Sequence, residues 1–376
     1  MGRARHEKNT TRSGGAGAIV GTLLLVAAAI GIFLYRDKLT GGNAPAETAA
    51  PAVSAGEAYT YETGSQQMFA LMGSELAIAS TTGLQILDED GQSVLREVFS
   101  MTRPAVCACD DCCIFYDVGG THIRVVKNGK STSLDRESPI TSVSVNRDGY
   151  IAVSGEEDGY KGSVRVYNNK LEAIYEWFSG SGYTLDAAVS PDCSKLTVLT
   201  LGSSGSEVHI FRLDSEKEAA TIKLDGELAV RLHYSKNGDF CVLTQKNLYF
   251  YNDSGKALNR FSFDSNTLED YEFGTDLTVV ALGQYVSGGS TVLTSLGPDG
   301  RTLGTATLSE APQALASQGR KLLVLSNETV TVFDSTLRTQ KSAAVGSGYV
   351  SAVLLPDDDV MLLSTHYGEK CTPKSR

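Results

Sequence analysis

The stretch ITSVSVNRDGYIAVSGEEDGYKGSVRVYNN, running from Ile140 to Asn169, decides the fold. Residues 140–145 alternate apolar and polar, turn at Asn146-Arg147-Asp148-Gly149, and return as a second apolar run over 150–153. Val164-Arg165-Val166-Tyr167 then alternates again ahead of Asn168-Asn169. A period of two bounded by Asn, Asp and Gly is the signature of β-hairpins. Two hairpins in series predict a four-stranded antiparallel unit.

Both hairpins recur along the chain. The first type reappears at Val106 to Tyr116 around Asp110-Asp111, at 187–199 around Ser190-Pro191-Asp192, near Lys236-Asn237-Gly238, and near Pro356-Asp357-Asp358. The second type reappears before Asp88-Glu89-Asp90-Gly91, Asn128-Gly129, Asp214, Asn252-Asp253-Ser254-Gly255, Pro298-Asp299-Gly300 and Asp334. The aligned turn residues Asp111, Asp148, Asp192 and Asn237 lie 37, 44 and 45 positions apart, and 120 more separate Asn237 from Asp357. Four strands per period of about 40–45 is the spacing of propeller blades. The expected fold is therefore all-β, a β-propeller of seven or eight four-stranded blades. Eight first-type hairpins, from 68–80 to 350–364, stand against seven of the second type. A strand within residues 58–63 completes the eighth blade and closes the ring. Were residues 68–72 part of the closure instead, the count would be seven.

Ahead of the repeats lies a different kind of sequence. Residues 13–35 form 23 consecutive positions without a charge, enough as a helix to span about 34 Å. A bilayer's hydrocarbon core is roughly 30 Å thick. Arg3, Arg5, Lys8 and Arg12 precede this segment, so the positive-inside bias puts residues 1–12 in the cytoplasm as a short basic tail. The remainder then lies outside the cytoplasm, at the cell membrane. A cleaved signal peptide is the competing reading, although its apolar region is normally shorter, about 7–15 residues. Gly17 and Gly21 have the spacing that lets two helices approach closely, which allows a dimer. Residues 36–57, rich in Ala, Pro and Gly, read as a flexible stalk to a propeller over 58–368, with a polar tail at 369–376.

The net charge is −11, and residues 1–38 carry +4 of opposing charge, which leaves −15 on the rest. Such an acidic domain repels phosphate backbones, and no nucleic-acid partner is expected.

Four of the seven cysteines crowd into Cys107-Ala108-Cys109-Asp110-Asp111-Cys112-Cys113, on the first hairpin of the second blade. Outside the cytoplasm a disulfide is favoured, either Cys109 with Cys112 across the turn or the vicinal pair Cys112-Cys113. In a reducing setting all four stay free thiols. Thiolates so placed also suit zinc or copper(I), yet neither a second CxxC arm nor a nearby histidine accompanies them. Cys193 and Cys241 fall at or beside turns, and Cys371 falls in the polar tail. The histidines His6, His122, His209, His233 and His366 are scattered, and acidic turns such as Asp88-Glu89-Asp90 lack the ligand spacing of a calcium loop. No P-loop, Gly-x-Ser-x-Gly or His-Glu-x-x-His motif occurs. No cofactor and no enzymatic activity are expected.

The Ser-Pro-Asp and Asn-Asp-Ser-Gly turns resemble those of WD40-like, quinoprotein-like and YVTN-type propellers. The layout of basic tail, single helix, small-residue stalk and degenerate propeller is similar to an uncharacterised family of membrane-anchored proteins of Firmicutes. That resemblance carries no established activity with it. A propeller's two loop-rich faces and central channel instead point, by analogy of fold, to binding of a protein or glycan outside the cytoplasm in a scaffold role serving envelope assembly, with ligand sensing as the alternative. The quinoprotein comparison implies a vicinal cysteine pair against a quinone. Those proteins repeat a tryptophan-bearing motif, however, and Trp177 is the only tryptophan here.

Overall fold

The computed structural model describes residues 58–61, 64–283 and 289–375. The expected membrane span at 13–35, its Gly17 and Gly21, and the stalk at 36–57 lie outside them. The described residues are all-β and form eight sheets, each built on four antiparallel strands that are consecutive except in the last blade, with a fifth short strand added to blade 7. Blade 1 comprises Met68–Met72, Glu75–Ser80, Gly83–Leu87 and Ser93–Val98. Blade 3, which contains the deciding stretch, comprises Ile140–Val145, Ile151–Gly155, Gly162–Tyr167 and Ala173–Ser179. The first strand of the last blade, Ser351–Leu354, lies against the first strand of blade 1, so the ring is closed.

Closure uses the predicted strand. Ala58–Thr60 pairs antiparallel with Tyr367–Cys371 and serves as the outer strand of blade 8. Tyr61 fixes it further, its backbone N–H donating to His366 O at 3.3 Å and its hydroxyl shared between the carbonyls of Ser364 and Tyr367. Tyr59 packs over the blade 1 turn at Gly91, where a Cβ would come within 1.9 Å of the ring. Gly91 also has φ +75, so both space and backbone demand glycine there.

The polar tail expected from residue 369 is not outside the fold. Glu369 to Cys371 complete the third strand of blade 8, and Lys374–Ser375 pairs with Thr339–Ala344 of blade 7. Cys371 is accordingly buried, in the cluster between blades 7 and 8. The side chains explain this. Within 367–371, Gly368 and Cys371 are buried, Glu369 and Lys370 are half-buried and Tyr367 is exposed, so no clean alternation marks the strand in the sequence.

Why strands two and three of each blade read as unbroken apolar runs follows from the packing. Among the described residues there are eight hydrophobic clusters, one at each interface between neighbouring blades. In Ile151–Gly155, Ile151 and Val153 pack toward blade 2 while Ala152 packs toward blade 4. Successive strand residues point to opposite faces, and here both faces are buried. Outer strands face a neighbour on one side only, so Ala173–Ser179 alternates exposed and half-buried.

The turns have an equally local cause. Asn168 Oδ1 accepts from the N–H groups of Lys170 and Glu172, both at 3.0 Å, and the Asn168 carbonyl accepts from Leu171 N at 2.9 Å. Asp88, Asn146, Asn252 and Asp334 repeat this arrangement at the same spacing. An Asx side chain supplies acceptors that the short turn lacks. The fourth residue of each turn has left-handed backbone, taken by Gly149 and Gly255 but also by Leu171 and Leu337.

Candidate functional site

Three regions of the ring concentrate chemistry: the cysteine hairpin, the inner wall of blades 3–6, and a loop on blade 3. On the hairpin, the strands Pro104–Ala108 and Cys112–Asp117 pair with Cys107 opposite Ile114 and Ala108 opposite Cys113. Cys109 N donates to Cys112 O at 2.8 Å across the Asp110-Asp111 turn. The Sγ atoms of Cys109 and Cys112 stand 2.9 Å apart, and Asp111 Oδ1 is 3.3 Å from Cys109 Sγ. These three residues could surround a metal ion, since their ligand atoms all lie within 4.8 Å of one another. Lys127 Nζ, from the adjoining strand, pairs with Asp111 at 2.9 Å.

The other two cysteines are drawn away from this pair. Cys113 points into the cluster between blades 1 and 2 beside Phe115, and burial pushes its thiol up. Cys107 packs toward blade 3, its thiol pushed up to about 12 by burial. Cys112 and Cys113 follow one another along a strand and therefore face opposite sides of the blade. That arrangement does not present a vicinal pair to a flat cofactor.

Along the inner wall, the first strands of blades 3, 4, 5 and 6 each contain one register shift at matching places. The shifts fall between Ile140 and Ser142, Thr184 and Asp186, Ala229 and Arg231, and Leu268 and Asp270. Such bulges re-aim side chains. Asp186, 4% exposed, accepts from Leu232 N at 3.0 Å and from Ala187 N at 3.1 Å, and Arg231 Nη1 is 4.0 Å away. Burial holds its carboxyl above the usual range. Glu272 receives the N–H and hydroxyl of Ser317, at 3.0 and 2.7 Å, and burial carries its carboxyl up to about 7. His233 stacks on Phe273 and donates Nε2–H to Gly274 O at 3.1 Å, while burial pushes it down to about 4. These groups tie one blade to the next and are occupied by protein partners.

Several of the other singled-out residues have protein partners, and His6 lies outside the described residues. His209 lies between Glu218 and Thr200, at 2.6 and 3.0 Å, under Trp177. Asp358 is paired with Lys321 and Lys341, and Lys370 sits between Asp357 and Asp359. An open cleft of about 490 Å³ between blades 6 and 7 is lined by polar groups such as Thr307, Glu310 and Asn327, the last two bonded to each other at 2.8 Å.

Blade 3 carries a feature the sequence does not announce. Tyr160, 53% exposed, meets Phe178, 38% exposed, with ring centroids 4.8 Å apart. Lys161 Nζ lies 5.1 Å from the Tyr183 ring centroid alongside. Glu156 and Asp158 flank the patch in the same loop and are exposed. Tyr160 reads as one more loop residue, and Phe178 as one more strand residue, until the sheet brings them together.

A family model matches residues 52–334, most of the chain. The chain belongs to the family of unknown function DUF5711. No curated protein matches this DUF5711 member in sequence. Among solved structures, it is similar to the C-terminal WD40 domain of Sif2, with TM-score 0.56 and 12% identity over 81% of this chain and 91% of that one. It is also similar to BamB from Moraxella catarrhalis, with TM-score 0.56 and 8% identity over 85% of this chain and 100% of that one. A eukaryotic initiation factor gives TM-score 0.55 and 13% identity, over 85% of this chain and 84% of that one. At such identities the likeness establishes the propeller fold.

Proposed function

We propose that this DUF5711 protein is a membrane-anchored scaffold, held by residues 13–35, whose propeller recognises a protein partner outside the cytoplasm. The observation that carries the reading is the exposed Tyr160–Phe178 pair, held on a rigid closed ring and edged by Glu156 and Asp158. Aromatic residues with little conformational freedom dominate the binding energy of protein interfaces. The acidic edge and the overall charge of −11 favour a partner with a basic, apolar surface. Propeller folds of the WD40 and BamB kind offer the same platform, an argument by analogy of fold.

The test uses the full chain in its own cells, with a photo-crosslinking residue introduced beside Phe178. One protein adduct is expected, lost in the Tyr160→Ala, Phe178→Ala double variant while the melting temperature stays unchanged. Recovery of a glycan, or of an adduct indifferent to both substitutions, would overturn the reading. A membrane-impermeant thiol reagent applied to intact cells checks the topology through a cysteine placed at exposed Ser181. Labelling only after lysis would put the ring in the cytoplasm.

A further inference from the structure

We propose that Cys109 and Cys112 are a reversible dithiol couple that exchanges with disulfide-bearing thiol compounds, Cys109 making the first attack and Cys112 resolving. The assignment rests on their geometry. The two sulfurs are 2.9 Å apart, across a turn already clamped by the Cys109 N–H to Cys112 O bond. A disulfide needs only that this gap close by roughly 1 Å. The two sulfurs are also unequal. Cys109 is half-exposed, whereas Cys112 is 2% exposed.

Access favours the same division, because Cys109 is partly exposed and Cys112 is buried. Thiolate is the attacking species in exchange, so the exposed sulfur is the nucleophile. Asp111 opposes this, being 3.3 Å from Cys109 Sγ, but its charge is already partnered by Lys127 at 2.9 Å. Buried Cys113 and half-buried Cys107 pack toward opposite neighbours, with both thiols raised by desolvation, and take no part.

The step balances as follows. Cys109 thiolate attacks one sulfur of the incoming disulfide, whose S–S bond breaks, and the other sulfur leaves with the electron pair as a thiolate. Cys112 then loses its proton and attacks Cys109 Sγ, which forms the internal bond and expels the second thiolate. The protein dithiol gives up two electrons and two protons, and the co-reactant becomes two thiols.

Oxidised glutathione is the probe, applied to the purified full chain and read by peptide mass spectrometry. The peptide holding Cys109 and Cys112 is expected to lose two hydrogens, and excess reduced glutathione should restore them. The Cys112→Ser variant should trap one glutathionyl group on Cys109, and the Cys109→Ser variant should react at least tenfold more slowly. A Cys112→Ser variant that accumulates no adduct, or carries it on Cys107 or Cys113, would sink the proposal. Wild-type thiols that resist glutathione yet are masked from a thiol reagent by added zinc would replace the couple with a metal site.

Discussion

The backbone N–H of Leu232 donates to Asp186 Oδ2 at 3.0 Å, joining the inner strand of blade 5 to that of blade 4. The bulge between Thr184 and Asp186 turns the carboxylate toward this bond, and the matching bulge before Arg231 places a guanidinium beside it. Removing the carboxylate leaves a buried N–H without its acceptor. Asp186→Ala should lower unfolding free energy by about 2–3 kcal/mol, and Asp186→Asn by less, since the amide still offers an oxygen. Urea denaturation of both variants measures this; equal losses would assign the effect to charge and not to the hydrogen bond.

Glu272 makes stability depend on pH. Its carboxyl is raised to about 7, so the folded state holds a proton that the unfolded chain releases nearer 4.5. The contribution is fully present below about pH 4.5 and is lost as pH rises through about 7. Allowing for solvent along the inner wall, the loss is on the order of 1–2 kcal/mol. Glu272→Gln should flatten that part of the stability profile. An unchanged slope in the variant would show that another group is responsible.

Tyr61 secures the closing strand through a hydroxyl shared by two carbonyls of blade 8. Tyr61→Phe should cost about 1 kcal/mol, the net worth of one buried hydrogen bond. Hydrogen exchange should quicken first at the amides joining 58–60 to 367–369. Uniform quickening around the ring would mean that closure does not open locally.

Cys193 stands at the turn position that Gly149, Gly238 and Gly255 fill elsewhere, with φ +58. A side chain there costs roughly 1 kcal/mol. Cys193→Gly should therefore raise the melting temperature slightly, by up to about 1 kcal/mol in stability, despite the lost contact with Asn146 Nδ2 at 3.2 Å. A fall in melting temperature would show that the sulfur contributes more than its backbone costs.

The blades were legible because their causes are local. An Asx oxygen capping amides two and four residues ahead writes itself into a short motif, as at Asn146 and Asn252. Alternation likewise survives in every hairpin, and the unpaired eighth hairpin pointed to the strand at Ala58–Thr60. What joins blades was not legible. His233 meets the carbonyl of Gly274, and Asp186 meets Leu232 46 positions away, by virtue of a ring geometry that no window of sequence contains. The cysteines fall between these cases. The turn suggested Cys109 with Cys112, but only the alternation of a placed strand sends Cys113 to the other side.

The pairing of Ala58–Thr60 with Tyr367–Cys371 sets the order in which the molecule can be finished. Tyr61 and Tyr367 are 306 positions apart, so the strand at 58–60 waits for a partner synthesised long after it. Blades 1 to 7 can form as they emerge, each from neighbouring hairpins, while the edge meant for Ala58–Thr60 does not yet exist. An entropic loop of this length makes closure a late and slow step. A chain cut short before 367 would hold seven blades with nothing to seal them, and its two open edges would seek strands on other chains.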